Sequence, residues 1–264
     1  RDLESERVTR TDTAWERYQA LSNKALMGWT VWPAQDAMRN RLMADAERVI
    51  AAYRGGDAVV TGSDWVRARN TAAKALELVP RDKEVKSRLR TIDGHLFRIR
   101  GSSRRDANML EQSREYYDEA AQLDPKTPDP WLGLARLYVY STRDVDKGEA
   151  ALKEAEKRHF GIGKRESAML ADGYLYRGER SFKEALAAPS DEERLKYLDL
   201  ARKDIEKSKQ LYESIVPWGG SVASLRKVND DLDKLDGLKA PPDSSDSQRD
   251  NRPWWQRVIP GLTK

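Results

Sequence analysis

The chain has 264 residues, enough for one continuous core or two domains, and 39% of them are hydrophobic. Its 48 basic and 44 acidic residues leave a net charge of only +4, a mixed wet surface and not a nucleic-acid footprint. Lack of cysteine excludes disulfides and thiol catalysis, two histidines are too few for a histidine metal site, and no run approaches the roughly 18 apolar residues of a membrane span.

Residues 14 to 27 are predicted as a first helix, opened by Thr13 with Glu16 three positions on, the spacing of a capping box. The uncharged segment from Ala25 to Gln35 sets Trp29 and Trp32 around Gly28 and Pro33 and predicts a packed corner. A helix from Asp36 to Tyr53 follows and ends at Gly55 and Gly56. Ser63 or Asp64 is placed to cap the next helix, Trp65 to Leu78. Along it Ala68, Ala72, Ala75, Leu78 and Pro80 recur 45 residues later as Ser113, Tyr117, Ala120, Leu123 and Pro125. Small side chains four then three apart share one helix stripe and admit a second helix closely, and the proline stops each copy.

Between the copies, Val85, Leu89, Ile92, Leu96 and Ile99 mark an amphipathic helix from Lys83 to Arg100, which a loop from Gly101 to Arg105 breaks. Prolines stiffen the corner from Asp124 to Pro130, and Trp131 opens a helix with Leu134, Ala135 and Tyr138 on one face. Gly148, Ala151 and Ala155 line its return helix. Leu170, Ala171 and Tyr174 repeat the first-helix arrangement, with a turn at Arg177, Gly178 and Glu179. The stretch from Ser181 to Pro189 delays a long return helix, opened by Ser190 with Glu193 and striped by Leu198, Ala201, Ile205 and Ser208. A bend at Pro217 to Gly220 leads to a last helix, Val222 to Leu235, ended by Gly237. Beyond Ala240 the chain turns Pro/Ser/Asp-rich and reads as a linker carrying Trp254, Trp255, Val258 and Ile259. These shifts divide the chain into N-terminal capping helices (1–62), a repeat array (63–215), a C-terminal capping helix (216–240) and a linker with a tryptophan-containing tail (241–264).

The striped helix pairs resemble the tetratricopeptide repeat, a pair of antiparallel helices about 34 residues long. Trp131, Leu134, Ala135 and Tyr138 carry the resemblance best, which covers residues 40 to 212. It implies an all-α fold, an antiparallel helix-pair solenoid of about ten helices in roughly four units, right-handed as a superhelix. It also implies a concave groove lined by first helices, here Ser87, Thr91, His95, Leu132, Arg136, Tyr140, Ala168, Asp172 and Tyr176. Thr91, Arg136 and Asp172 stand where members that clamp a terminal carboxylate carry asparagine, so that mode is not expected.

The function implied is a non-catalytic scaffold that holds a protein or peptide partner in this groove, with no metal, cofactor or nucleic acid. Arg136, Tyr140, Asp172 and Tyr176 would give the groove a mixed charged and aromatic lining. His159, at a helix end, reads as a cap. The tail residues Trp254, Trp255, Val258 and Ile259 have three readings: docking on another protein, at a membrane interface, or back on the array itself. Gly161 to Lys164 lacks phosphate-loop spacing, Asp231, Asp233 and Asp236 lack the closing glutamate of a calcium loop, and Ser224 with Lys227 is an isolated SxxK. Because the chain opens at Arg1, the alternative reading is the sensory or assembly portion of a bacterial envelope protein, periplasmic and tethered to the membrane through an upstream segment or the tail.

Overall fold

The computed structural model describes residues 15–20, 32–55 and 59–239. These are all-α, with no strand among them: a helical stretch at 15–20 and nine further α-helices. The expected cap at Thr13, the Trp29 side of the corner, the linker and the tail residues Trp254, Trp255, Val258 and Ile259 lie outside the described residues. The chain divides into two compact units, Arg1–Thr142 with Asp146–Gly161, and Arg143–Val145 with Ile162–Lys264.

In the first unit, α1 (Trp32–Gly55) begins four residues before the expected Asp36. Pro33 does not force a corner there, because the first helical turn needs no N–H from it. Next, α2 (Gly62–Leu78) starts one residue before Ser63, with Thr61 as its cap. Asp64 N–H donates to Thr61 Oγ1 at 3.3 Å and Thr61 N–H to Asp64 Oδ2 at 2.9 Å, a reciprocal box. Hydrogen bonds from Thr61 hold the Asp64 carboxyl below the usual aspartate range. Helices α1 and α2 close over Tyr18, Met38, Leu42, Ala75, Leu78 and Val85. Gln35 Nε2 donates to Leu78 O at 2.5 Å across the same seam.

Asp82 caps α3 (Lys83–Arg104), and Asp106 caps α4 (Ala107–Leu123), each accepting two backbone N–H bonds. The expected loop at Gly101 to Arg105 is mostly helix, and only Arg105 turns left-handed, at φ 54°. Gly101 marks a close approach: a Cβ there would sit 2.9 Å from Leu110 Cδ2 on α4. The predicted stripe is buried on both helices that carry it, with Ala72, Ala75, Ser113, Tyr117 and Ala120 all fully inaccessible.

Helix α5 (Asp129–Arg136) runs into a π-helical stretch, Leu137–Thr142, and α6 (Val145–Glu156) returns over it. Gly148 there faces Val139. Consecutive helices pack from α1 to α5, and α1, α3 and α5 also touch one another, making a row of alternate helices.

The second unit holds α7 (Lys164–Ala187), α8 (Asp191–Glu213) and α9 (Ser221–Lys239), with α8 packed on both others. Ser190 Oγ caps α8, accepting from Glu193 N–H at 3.2 Å. The turn expected at Arg177 to Glu179 is absent, and the stretch after it is helix as far as Ala187. Gly178 is a packing position, where a Cβ would lie 2.5 Å from Ile205 Cγ1. Gly237 likewise lies inside α9 and does not end it. Leu175, Leu198, Ala201, Ile205, Tyr212, Val228 and Leu235 form the core of this unit.

Candidate partner-binding face

The row of α1, α3 and α5 presents an open face in the first unit. One hollow runs along Arg39, Met43 and Glu47 of α1 and Glu84 and Arg88 of α3. A second, of about 400 Å³, shares Arg88 and extends past Arg54 and the turn at 124–128 to His159 and Phe160.

A charge network fixes the floor. Arg54 donates to Asp129 through Nε at 2.8 Å and Nη2 at 2.7 Å, the planar two-point contact that suits guanidinium to carboxylate. Asp129 is buried and also accepts from Thr127 Oγ1 at 2.9 Å. Hydrogen bonding to Asp129, working against the cost of burial, raises the affinity of Arg54 for its proton. Arg88 joins Glu47, at 3.2 Å, to Asp124, at 3.4 Å, while Arg54 also reaches Glu47 at 3.3 Å. Arg54 Nη1 and Arg88 Nη2 take no part in these bonds. At the rim Lys126 and His159 are exposed, and Phe160 is half-buried. His159, at φ 61°, stands in the turn that follows α6.

The groove residues expected on α3 are not on this face. Ser87, Thr91 and His95 are at most 1% exposed, because α3 is the central helix of its unit and packs against α1, α2, α4 and α5. Ser87 Oγ donates to Ala120 O at 2.9 Å and Thr91 Oγ1 to Ser87 O at 3.0 Å, so both hydroxyls are satisfied internally. The His95 ring stacks on Trp65 with centroids 4.1 Å apart, meets Tyr53 edge-on at 4.4 Å, and shares a 2.9 Å hydrogen bond between Nδ1 and Tyr117 OH. Burial raises the Tyr117 phenol far above its ordinary pKa. Leu132 is also core, at 3% exposure. Arg136 lies half-buried, 5.8 Å from the centroids of both Tyr53 and Tyr140, and so roofs the aromatic cluster from α5.

The other expected residues belong to the second unit. Asp172 accepts a short hydrogen bond from Tyr212 OH. Tyr176 is 40% exposed beneath the Arg143 guanidinium, 4.3 Å from its ring centroid. Ala168 is partly buried against the core. Gly163 caps α7, and its N–H meets Glu166 Oε2 at 3.2 Å, so the Gly161–Lys164 stretch presents a carboxylate where a phosphate would need to sit.

Sequence reasoning missed the Arg54–Asp129 bond and the Arg88 bridge. They join residues far apart in the chain, at no fixed spacing, and no periodic signal marks such pairs. No protein-family model matches this chain, and no curated protein is similar to it.

Proposed function

We propose that this chain is a non-catalytic scaffold built of tetratricopeptide-like helix pairs, and that it holds a protein or peptide partner on the α1–α3–α5 face. The reading rests on one observation above all: a prearranged lattice of Arg54, Arg88, Glu47 and Asp129 beneath an open hollow, with guanidinium donors left over. Donors already held in place lose little entropy when a partner's carbonyls or carboxylates arrive. Phe160 and Met43 add apolar contact beside them. A solenoid suits the same role, since stacking helix pairs repeats one face along the molecule.

The test replaces the rim and leaves the lattice intact. A partner captured by the full chain should bind Lys126→Glu/Phe160→Ala at least about tenfold more weakly, at an unchanged melting temperature. Undiminished capture by that variant, with loss on Trp254→Ser/Trp255→Ser, would move binding to the tail and sink the proposal.

A further inference from the structure

The corner between α8 and α9 carries an exposed apolar cluster. Val216 is 43% exposed, Trp218 38% and Val222 41%, within a seven-residue stretch that also exposes Pro217. Soluble surfaces seldom concentrate large apolar side chains in this way without a partner. The nearby Lys209 and Lys227 are paired with Glu213 and Glu179, so, Arg226 aside, the corner lacks the band of uncompensated cations that draws a loop to anionic lipid.

The same chain supplies an occupant of the right chemistry. Trp254, Trp255, Val258 and Ile259 form a second apolar cluster, separated from the end of α9 by residues 240–253. Helix α9, 19 residues long, spans about 28 Å between the corner and Lys239. Fourteen residues reach as far as about 48 Å when extended, enough to run back along α9 with slack. A tether of this length also sets the local concentration of the tail in about the millimolar range, ahead of any second copy at micromolar protein.

We propose that the segment around Trp254–Ile259 docks on the Val216–Val222 corner of its own chain, covering Trp218. This is independent of the binding face on the first unit.

Because the chain of 264 residues has no cysteine, disulfide trapping tests this cleanly in the intact chain. V222C with Q256C should close an intramolecular disulfide about tenfold faster than L195C with Q256C, since Leu195 is somewhat more exposed than Val222 but lies near the start of α8, away from the corner. Adding Trp254→Ser and Trp255→Ser should bring the faster pair down to the control rate. Equal rates for the two pairs would overturn the proposal, as would disulfide-linked dimers from V222C/Q256C, which would make a second copy the occupant. Closure abolished by neutral lipid vesicles, with a blue shift of tryptophan emission, would assign both clusters to a membrane interface and overturn it too.

Discussion

The α3–α4 hairpin of the first unit and the α7–α8 hairpin of the second are built on one register. In the first, Ser87 Oγ donates to Ala120 O; in the second, Ser208 Oγ donates to Ala171 O, the same kind of bond with donor and acceptor helices exchanged. Seven positions after the first-helix partner stands a glycine in each, Gly94 and Gly178. Each glycine receives the side chain three positions before the second-helix partner, Tyr117 in one hairpin and Ile205 in the other. The bonded residues are 33 apart in one case and 37 in the other, and the four extra lie mainly in the first turn of α8. Four residues are close to one helical turn, so the insertion lengthens the hairpin without rotating its buried face. Seam geometry is thus kept while chemistry varies: a ring bonded to histidine fills one seam, a branched aliphatic the other.

Charge offers the sharpest way to break this likeness. Asp93 and Arg177 hold corresponding positions with opposite sign. Arg177 binds Asp204 through two bonds, at 2.7 and 2.8 Å, and that carboxylate is only 10% exposed. Arg177→Ala strands it and should cost about 3 kcal/mol, read as lost hydrogen-exchange protection across α7 and α8. Asp93→Ala leaves Arg69, 47% exposed, to water and Arg90 to its other carboxylate, Glu119, and should cost about 1 kcal/mol. Equal losses would mean that burial of the stranded partner does not set the scale.

The glycines come next. A Cβ at Gly94 would fall 2.6 Å from Cε1 of the fully buried Tyr117 ring, and one at Gly133 would fall 2.2 Å from the same atom. The ring has nowhere to turn, so Gly94→Ala should destabilise α3–α4 by about 2 kcal/mol despite its better helix propensity. At Gly178 the obstructing atom is Ile205 Cγ1, which a rotamer change relieves in part, though Ala201 O lies 3.1 Å away. Gly178→Ala should cost about 1 kcal/mol in urea unfolding. A reversal of this order would show that the aromatic seam is the softer one.

Tyr117→Phe separates shape from hydrogen bonding in the first hairpin. The ring volume stays while His95 Nδ1 loses its phenol, for an expected cost of about 1–2 kcal/mol. Ser208→Ala in the second removes a hydroxyl from a carbonyl that belongs to a helix, and about 0.5 kcal/mol is expected. Urea midpoints of the two variants should differ in that order, and equal shifts would place the worth of Tyr117 in its packing alone.

The stripe was legible because it depends on spacing: Ala68, Ala72 and Ala75, then Ser113, Tyr117 and Ala120, face inward as their four-then-three offsets require. Glycine was legible at Gly148, expected on the packed stripe and found against Val139, but not everywhere. Gly101, Gly178 and Gly237 each read as a stop in the sequence, and each lies inside a helix. A missing side chain serves a chain reversal and a close helix contact alike, and one sequence does not separate the two. The α3 positions misled for a related reason. Polar residues such as Thr91 and His95 look wet on an amphipathic pattern, but a helix packed by four neighbours keeps only a narrow wet strip, here Glu84, Lys86, Arg88 and Arg90, and Thr91 and His95 lie off it.

The smallest effect tests the likeness at its edge. Three positions after Ser87 and after Ala171 stand Arg90 and Tyr174, and one before Ala120 and before Ser208 stand Glu119 and Lys207. Arg90 Nε meets Glu119 at 2.7 Å, with both side chains about one-third exposed, so salt screens the pair. Lys207 donates to Tyr174 OH at 2.5 Å and lies 4.1 Å from its ring centroid, a contact between a cation and a neutral partner. Glu119→Gln and Lys207→Gln should each cost about 0.5 kcal/mol or less at low salt. Raising sodium chloride to about 1 M, where the Debye length is about 3 Å, should erase the first cost and leave most of the second. If both costs vanish together, the tyrosine contact is ordinary surface charge, and the hairpins share their edge chemistry as well as their seam.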